Sequence, residues 1–162
     1  KEIADRKKQV TALDLEAIVS DEMRERADAH ELTSFEVSAG TGREPLAKVS
    51  IRLPSGDTVI AESGGDGPID AVFRAIQEAT QSESELSQYT VDAVTGGEDA
   101  LGEVTVQLRT NGTLASGSGV ATDIIEASAR AYLRALSNSL EGAATREAEA
   151  ATADAVIERT GP

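Results

Sequence analysis

The residues best placed to do chemistry lie in Gly64-Gly65-Asp66-Gly67-Pro68-Ile69-Asp70-Ala71. A stretch of β-type alternation enters this segment and a stretch of helical spacing leaves it. Three glycines within four positions let the backbone take positive φ and approach a partner closely. Pro68 suits the first helical position, where its missing N–H costs nothing. Asp70, at the third position, is favourable against the helix dipole. The outcome is a row of free backbone N–H groups at a helix start, a seat for a small anionic group. A tight strand-to-helix turn accounts for the same residues without any ligand.

Other candidates fail on pattern. Asp66 and Asp70 offer a carboxylate pair for acid–base work, but Asp70 has a structural role at the helix start, and no His or nucleophile lies nearby in sequence. Gly117-Ser118-Gly119 begins like a dinucleotide fingerprint. Its third glycine position is Thr122, the unit is not βαβ, and no acidic residue ends a following strand. Neither glycine stretch ends in Gly-Lys-Ser/Thr, which excludes a P-loop. Ser128 lies within a helical pattern, away from any strained turn, and reads as a small packing residue rather than a nucleophile. The lone His30 has no second histidine with which to share a metal and reads as a solvated loop residue. The chemistry on offer is that of a binding and assembly module.

The elements that position the glycine stretch show a repeat. Three short strands precede it, with Phe35, Val37 and Ala39, then Ala47, Val49, Ile51 and Leu53, then Val59, Ala61 and Ser63 at alternate positions. Short turns join them, Pro54-Ser55-Gly56-Asp57 among them, so the strands are antiparallel neighbours. A helix from Pro68 to about Thr80 follows, with Ile69, Val72, Phe73 and Ile76 on one face. Gln81 to Ser87 reads as a polar, acidic linker. The pattern then recurs: Tyr89, Val91 and Ala93; Val104, Val106 and Leu108; the hairpin signal Asn111-Gly112; a short strand Thr113–Ser116 running into Gly117-Ser118-Gly119; and a helix from Thr122 or Asp123, with Asp123 and Glu126 as a capping pair. Ala127, Ser128, Ala129, Ala131 and Ala135 give that helix a small-residue face, suited to close packing on its own sheet or on a second subunit. Strand–strand–strand–glycines–helix thus occurs twice, about 52 residues apart from Gly67 to Gly119. Two glycine loops at equivalent points would form a paired site.

The fold expected is α+β, with duplicated βββα units related by pseudo-symmetry and preceded by a small helical subdomain. Residues 1–31 form that helical linker, with Leu15, Ile18, Val19 and Met23 as its apolar stripe. Residues 32–140 form the main domain, repeat one spanning 32–80 and repeat two 87–140. Residues 141–162 are an acidic, Ala-rich tail, read as a surface helix or a frayed end. The chain begins at Lys1 within a charged helical pattern, as expected of a piece of a longer protein.

Composition narrows the partners. The 162 residues carry 29 acidic against 15 basic side chains, a formal charge of −14. Nothing here would neutralise phosphates, which excludes nucleic acid as a partner. No apolar run reaches roughly 18 residues, so no membrane span is expected, and no signal peptide is visible. The absence of cysteine excludes disulfides and thiolate metal sites and fits a cytoplasmic protein. Aromatic residues make up only 2% of the chain, so Val, Ile, Leu and Ala must build the core. The acidic surface, with four lysines against a majority of arginines, suits a proteome adapted to high salt.

At this point a resemblance can be stated. Gly65-Asp66-Gly67-Pro68-Ile69-Asp70-Ala71, Asp99-Ala100-Leu101-Gly102-Glu103-Val104, Gly117-Ser118-Gly119, Thr122-Asp123-Ile124-Ile125-Glu126-Ala127-Ser128 and Ala131-Tyr132-Leu133 together resemble the C-terminal regulatory domain of the 2-isopropylmalate synthase family, which also contains citramalate synthases. Ala4-Asp5-Arg6-Lys7-Lys8-Gln9-Val10 and Asp14-Leu15-Glu16-Ala17 resemble the helical part that joins this domain to a catalytic barrel. The match covers about residues 1–140. It implies a duplicated βββα fold, a homodimer, and binding of the end product, leucine or isoleucine, between the repeats as feedback inhibitor. It implies a barrel in the parent chain that condenses acetyl-CoA with a 2-oxo acid, using a divalent metal. Those cofactors belong to the barrel; none is implied for this chain, which alone is non-catalytic. The Thr11–Met23 helix would be the lever between the two parts.

The resemblance also carries site residues. Gly65, Gly67, Ile69 and Asp70 match the family's first glycine loop and would bring N–H groups to the ligand carboxylate. Asp70 departs from apolar versions of its position and would meet the ligand ammonium. Tyr89 and Ala93 match positions lining the side-chain pocket. Ala100 matches the loop after that strand, and Val120 with Thr122 match the second glycine loop. Leucine and isoleucine differ by one methyl placement, which an apolar pocket separates by only about 1–3 kcal/mol. A purely structural dimerisation module and an unrelated small-anion or nucleotide binder remain open as readings of the same residues. Salt adaptation predicts that the folded state gains stability from low to molar salt, measured as refolding in both media; equal stability in the two would refute it.

Overall fold

The structure, a computed structural model, describes residues 30–97 and 100–160. The expected N-terminal helices and their Thr11–Met23 stripe lie outside the described residues, as do Glu98 and Asp99 of the repeat-two turn. Strands β1 (Glu31–Gly40), β2 (Arg43–Arg52) and β3 (Thr58–Gly64) lead into helix α1 (Pro68–Thr80). Strands β4 (Ser84–Ala93), β5 (Gly102–Thr110) and β6 (Thr113–Ala121) lead into helix α2 (Ile124–Thr160). Each trio forms its own antiparallel sheet in sequence order. This is the duplicated βββα, α+β architecture expected.

Period-two alternation decides which face of each sheet is covered. Ala47, Val49 and Ile51 of β2 are buried, and Phe35 and Ala61 flank Val49 across the ladder. In the second sheet Val104, Val106 and Leu108 do the same. Helix α1 covers β2 and β3 with Val72, Phe73 and Ile76, and α2 covers β5 and β6. Fully burying one such side chain contributes about 1.5–3 kcal/mol. The buried residues form one cluster drawn from both repeats. Asn111 and Gly112 both take positive φ, 51° and 78°, as a two-residue hairpin of type I′ requires.

Four expectations need correction. Gly117 and Gly119 lie inside β6, not in a loop. The two helix starts, Pro68 and Ile124, lie 56 positions apart, against the 52 between Gly67 and Gly119. A Cβ at Gly117 would strike the backbone of Ala131 and Ala135, and one at Gly119 the backbone of Ala127 and Ala131. These glycines therefore let α2 lie directly on the strand, and its small-residue face is taken up by its own sheet. From that position Arg134 donates to the Ser118 carbonyl and Asn138 to the Ser116 carbonyl (2.7 Å), covering a strand at the sheet edge.

Second, the polar linker is shorter than expected, because β4 begins at Ser84 and repeat two with it. A bulge between Leu86 and Gln88 shifts the phase of the alternation there, and β1 carries the matching bulge between Leu32 and Ser34. Third, His30 is not solvated. It is 8% exposed, and its N–H and Nδ1 each lie 3.2 Å from Ser137 Oγ on α2. Ser137 gives its own proton to the Leu133 carbonyl, 3.0 Å away, so Nδ1 carries the hydrogen of the His30 contact. Fourth, residues 141–160 are helical, as one of the two readings of the tail had it, but they continue α2 as a single helix of 37 residues rather than forming a separate element.

The seam between repeats is polar as well as apolar. Gln77 on α1 donates to the Ser84 carbonyl (2.7 Å) and to the Tyr132 hydroxyl (2.8 Å), and Ser84 Oγ lies 2.6 Å from the same hydroxyl. Burial pushes the Tyr132 phenol above its ordinary value, opposed by the hydrogen bonds from Ser84 and Gln77. Two predictions follow from this packing. Gly119→Ala should cost about 1–3 kcal/mol in urea unfolding, because the helix cannot move off the strand without breaking the Arg134 and Asn138 bonds, whereas Gly67→Ser, with open space at its Cβ, should cost nothing measurable. The second concerns pH. The native Tyr132 holds its proton at pH values where the unfolded chain, titrating near 10, has released it. That stability is complete below pH ~10 and is lost as pH rises towards the native value. Tyr132→Phe should lie about 1–2 kcal/mol below the parent at pH ~8, and the gap should narrow by pH ~11. A gap of constant size would exclude the buried phenol as its source.

Candidate functional site

The site expected from sequence divides into two groups of residues. The first is the turn into α1. Gly65 donates its N–H to the Pro45 carbonyl (3.2 Å), and a Cβ there would strike the backbone of Ala71, so this position needs glycine. Gly67 is the N-cap, with extended backbone (φ −153°) and no side chain to cap the helix. The first backbone bond of the helix runs from Ala71 N–H to the Gly67 carbonyl, 2.9 Å. Pro68 has no N–H, so Ile69 and Asp70 carry the orphan donors of the first turn. Ile69 packs, half-buried, against the core.

Asp70 is already engaged. Its Oδ2 accepts the Asp66 N–H at 2.9 Å and faces Arg74 Nε at 3.0 Å. Arg74 also reaches Asp66 at 3.8 Å. One guanidinium thus ties both carboxylates beside the turn. An exposed pair of this kind is worth under about 1 kcal/mol, but the backbone bond gives it a fixed direction. The role expected for Asp70, meeting a ligand ammonium, would compete with these contacts.

The second group lies on the second sheet. Tyr89 and Ala93 point to the same face as Val106 and Gly102, their ladder partners. Tyr89 is half-buried, and its ring meets Phe73 of α1 edge-on at 6.1 Å. Phe73 is one helical turn after Ile69, so this aromatic contact joins the two groups. Ala93 is exposed. Ala100 is half-buried in the β4–β5 connection, its N–H bonded to Gly97 (3.3 Å), where Thr95 Oγ1 accepts from Leu101 (2.9 Å). Thr122 is exposed just beyond β6, whose Ala121 pairs with Gly102. Ala93, Ala100 and Thr122 therefore gather at one end of the sheet. Val120 does not join them: it pairs with Glu103, which puts its side chain on the opposite face from Tyr89.

The sequence of the chain places this fold among known proteins. Residues 9–140 match the family described as the LeuA allosteric (dimerisation) domain. The chain belongs to that family. It is 48% identical over 136 residues to a protein of Synechocystis sp. named 2-isopropylmalate synthase, an overlap of 84% of this chain and 26% of the relative. A protein of the same name from Acidimicrobium ferrooxidans is 48% identical over 151 residues, 91% of this chain and 29% of the relative. Another, from Picosynechococcus sp., is 43% identical over 157 residues, 97% of this chain and 29% of the relative. The chain thus spans between a quarter and a third of the length of these relatives.

Within this LeuA-type domain, sequence reasoning passed over three residues beside the second group. Val91 lies between Tyr89 and Ala93 on their face and is 45% exposed, although its neighbour across the ladder, Val104, is fully buried. Ile124, at the start of α2, lies where a Cβ of Gly102 would be. Ser128 holds the Tyr89 hydroxyl at 2.7 Å. Alternation pointed to Val91; no local pattern points to Ile124 or Ser128, whose roles come from the packing of α2. A cleft of about 540 Å3 on the outer face of the first sheet, lined by Glu36, Leu46, Lys48 and Glu62, holds none of the expected residues. Nor does one of about 380 Å3 beside His30, Thr80, Ser82 and Ser139. Among the described residues no helix is long and apolar enough to cross a membrane.

Proposed function

We propose that this LeuA-type domain is the regulatory domain of a 2-isopropylmalate synthase, assembles as a homodimer, and binds leucine between its two βββα units to inhibit the parent enzyme. The observation that carries the reading is the meeting of two complementary surfaces. The turn into α1 offers the orphan N–H groups of Ile69 and Asp70 to a carboxylate. Across the Phe73–Tyr89 contact, β4 offers Val91 and Ala93, apolar and exposed, to a branched side chain. The named relatives favour leucine over isoleucine, since those quoted are 2-isopropylmalate synthases.

In this reading the chain performs no chemistry itself. The remainder of the parent protein would condense acetyl-CoA with a 2-oxo acid at a divalent metal. Leucine would act there through a coupling free energy, typically about 1–3 kcal/mol, between states of the whole enzyme. The dimer would hold the domains in register for that coupling, in the cytoplasm.

Calorimetric titration of the chain with leucine, isoleucine and valine tests the reading, with the oligomeric state followed by sedimentation. Leucine should give a saturable signal, and isoleucine and valine should bind about tenfold or more weakly. Ala93→Leu, at an exposed position, should leave folding intact and abolish the signal. A stable dimer silent to all three amino acids would leave a structural dimerisation module in place of a sensor. A signal with isoleucine alone would reassign the parent to citramalate synthesis.

A further inference from the structure

Ser128 is fully buried on α2, and its Oγ donates to the carbonyl of Ile124, one turn earlier, at 2.6 Å. A serine hydroxyl has one proton to give. With that proton on Ile124, the 2.7 Å contact between Ser128 Oγ and the Tyr89 hydroxyl must have Tyr89 as donor. A directed chain of hydrogen bonds therefore runs from Tyr89 through Ser128 to the first turn of α2. At its other end the Tyr89 ring is held edge-on by Phe73 of α1. Tyr89 belongs to the first strand of repeat two, yet its ring is set by one helix and its hydroxyl by the other.

Packing alone does not call for a hydroxyl at this position. Ala127, Ala129 and Ala131 are equally buried around it, and a small side chain suffices there. A serine inside a helix that bonds only the carbonyl four residues back gains little for its fold. What the hydroxyl adds is an acceptor for a phenol arriving from another element. Both ends of the resulting chain border the same exposed apolar face: Tyr89 adjoins Val91 and Ala93, and Ile124 lies over Gly102, the ladder partner of Ala93.

We propose that Ser128 is a positioning residue for the effector site. It fixes the Tyr89 phenol, so that the ring stands as the wall against which the branched side chain of the effector packs. It also ties that wall to the start of α2. A ligand seated beside Tyr89 then bears on the first turn of α2 without touching Ser128. The role rests on the leucine reading and names a residue that the reading does not require.

The test is a double-mutant cycle on the full chain with Tyr89→Phe, Ser128→Ala and the double variant, each titrated with leucine and unfolded in urea. Each single change should weaken leucine binding about fivefold to tenfold, and the double variant no more than either single one, because all three lack the same bond. A merely structural role for Ser128 would lower the urea midpoint and leave the affinity unmoved. Unchanged affinity in Ser128→Ala, or losses that add in the double variant, would overturn the proposal. Should Ser128→Ala fail to fold, Tyr89→Phe alone decides, since it keeps the ring and removes only the donor. Silence of the parent chain towards leucine would overturn the leucine reading itself and this role with it.

Discussion

The ring of Phe73 against the ring of Tyr132, centroids 4.6 Å apart, is the contact on which the two halves of this protein depend. The chain has four aromatic residues in all, and three of them, Phe73, Tyr89 and Tyr132, meet here. A βββα unit of about fifty residues is marginal by itself, since chains of that size bury a small share of their surface. One sheet and one helix leave the far side of the helix bare. Joining two such units puts helix against helix and turns two half-cores into one cluster. The few large rings are spent where four surfaces must be filled at once, while Val, Leu and Ala suffice beneath each helix.

The seam is cross-woven rather than a flat meeting of two finished parts. The first strand of each repeat begins against the helix of the other. Ser84, opening β4, bonds Gln77 of α1, and His30, just before β1, bonds Ser137 of α2. Each strand start thus has a hydrogen bond that its own repeat does not supply. The two halves therefore share one core, held across the seam by these bonds as well as by apolar packing. The same weave places a turn from repeat one and a strand face from repeat two within one aromatic contact of each other. The proposed site, made of both, draws on that juxtaposition.

Much of this was legible in the sequence wherever a local rule decides. Helix α1 begins at Pro68 and ends at Thr80 as read, because proline at the first position and a clean apolar stripe leave no competing choice. The Asn111-Gly112 hairpin followed from residues that tolerate positive φ. Where the deciding contact was distant, the reading failed. Gly117 and Gly119 looked like a loop because glycine is a turn residue by local rule; their cause is the backbone of α2, at Ala127, Ala131 and Ala135 further along the chain. His30 looked solvated because no second histidine offered it a metal to share, yet it bonds Ser137 of α2, 107 positions away. The start of β4 was hidden by a bulge that throws off the alternation. Of the candidate site, the turn and the Tyr89–Ala93 face were read from pattern and resemblance. Ser128 and Ile124 were not, since nothing in their local sequence records what packs on them.

The repeats share a fold but not the chemistry of their helix starts, and this changes how a paired site should be understood. At α2 the N-cap is Asp123, whose carboxylate takes the Ile125 N–H at 2.8 Å. The chain supplies its own anion there. At α1 the N-cap is Gly67, which has no side chain to offer, and Asp70 turns its carboxylate back to the Asp66 N–H instead. The donors of the first turn are left for another group. One helix start is filled and the other is kept open, so the two are complementary rather than equivalent. Repeat one provides donors for a carboxylate, and repeat two, with Tyr89, Val91 and Ala93, provides an apolar wall. The proposed guest, a zwitterion with a branched side chain, needs one of each.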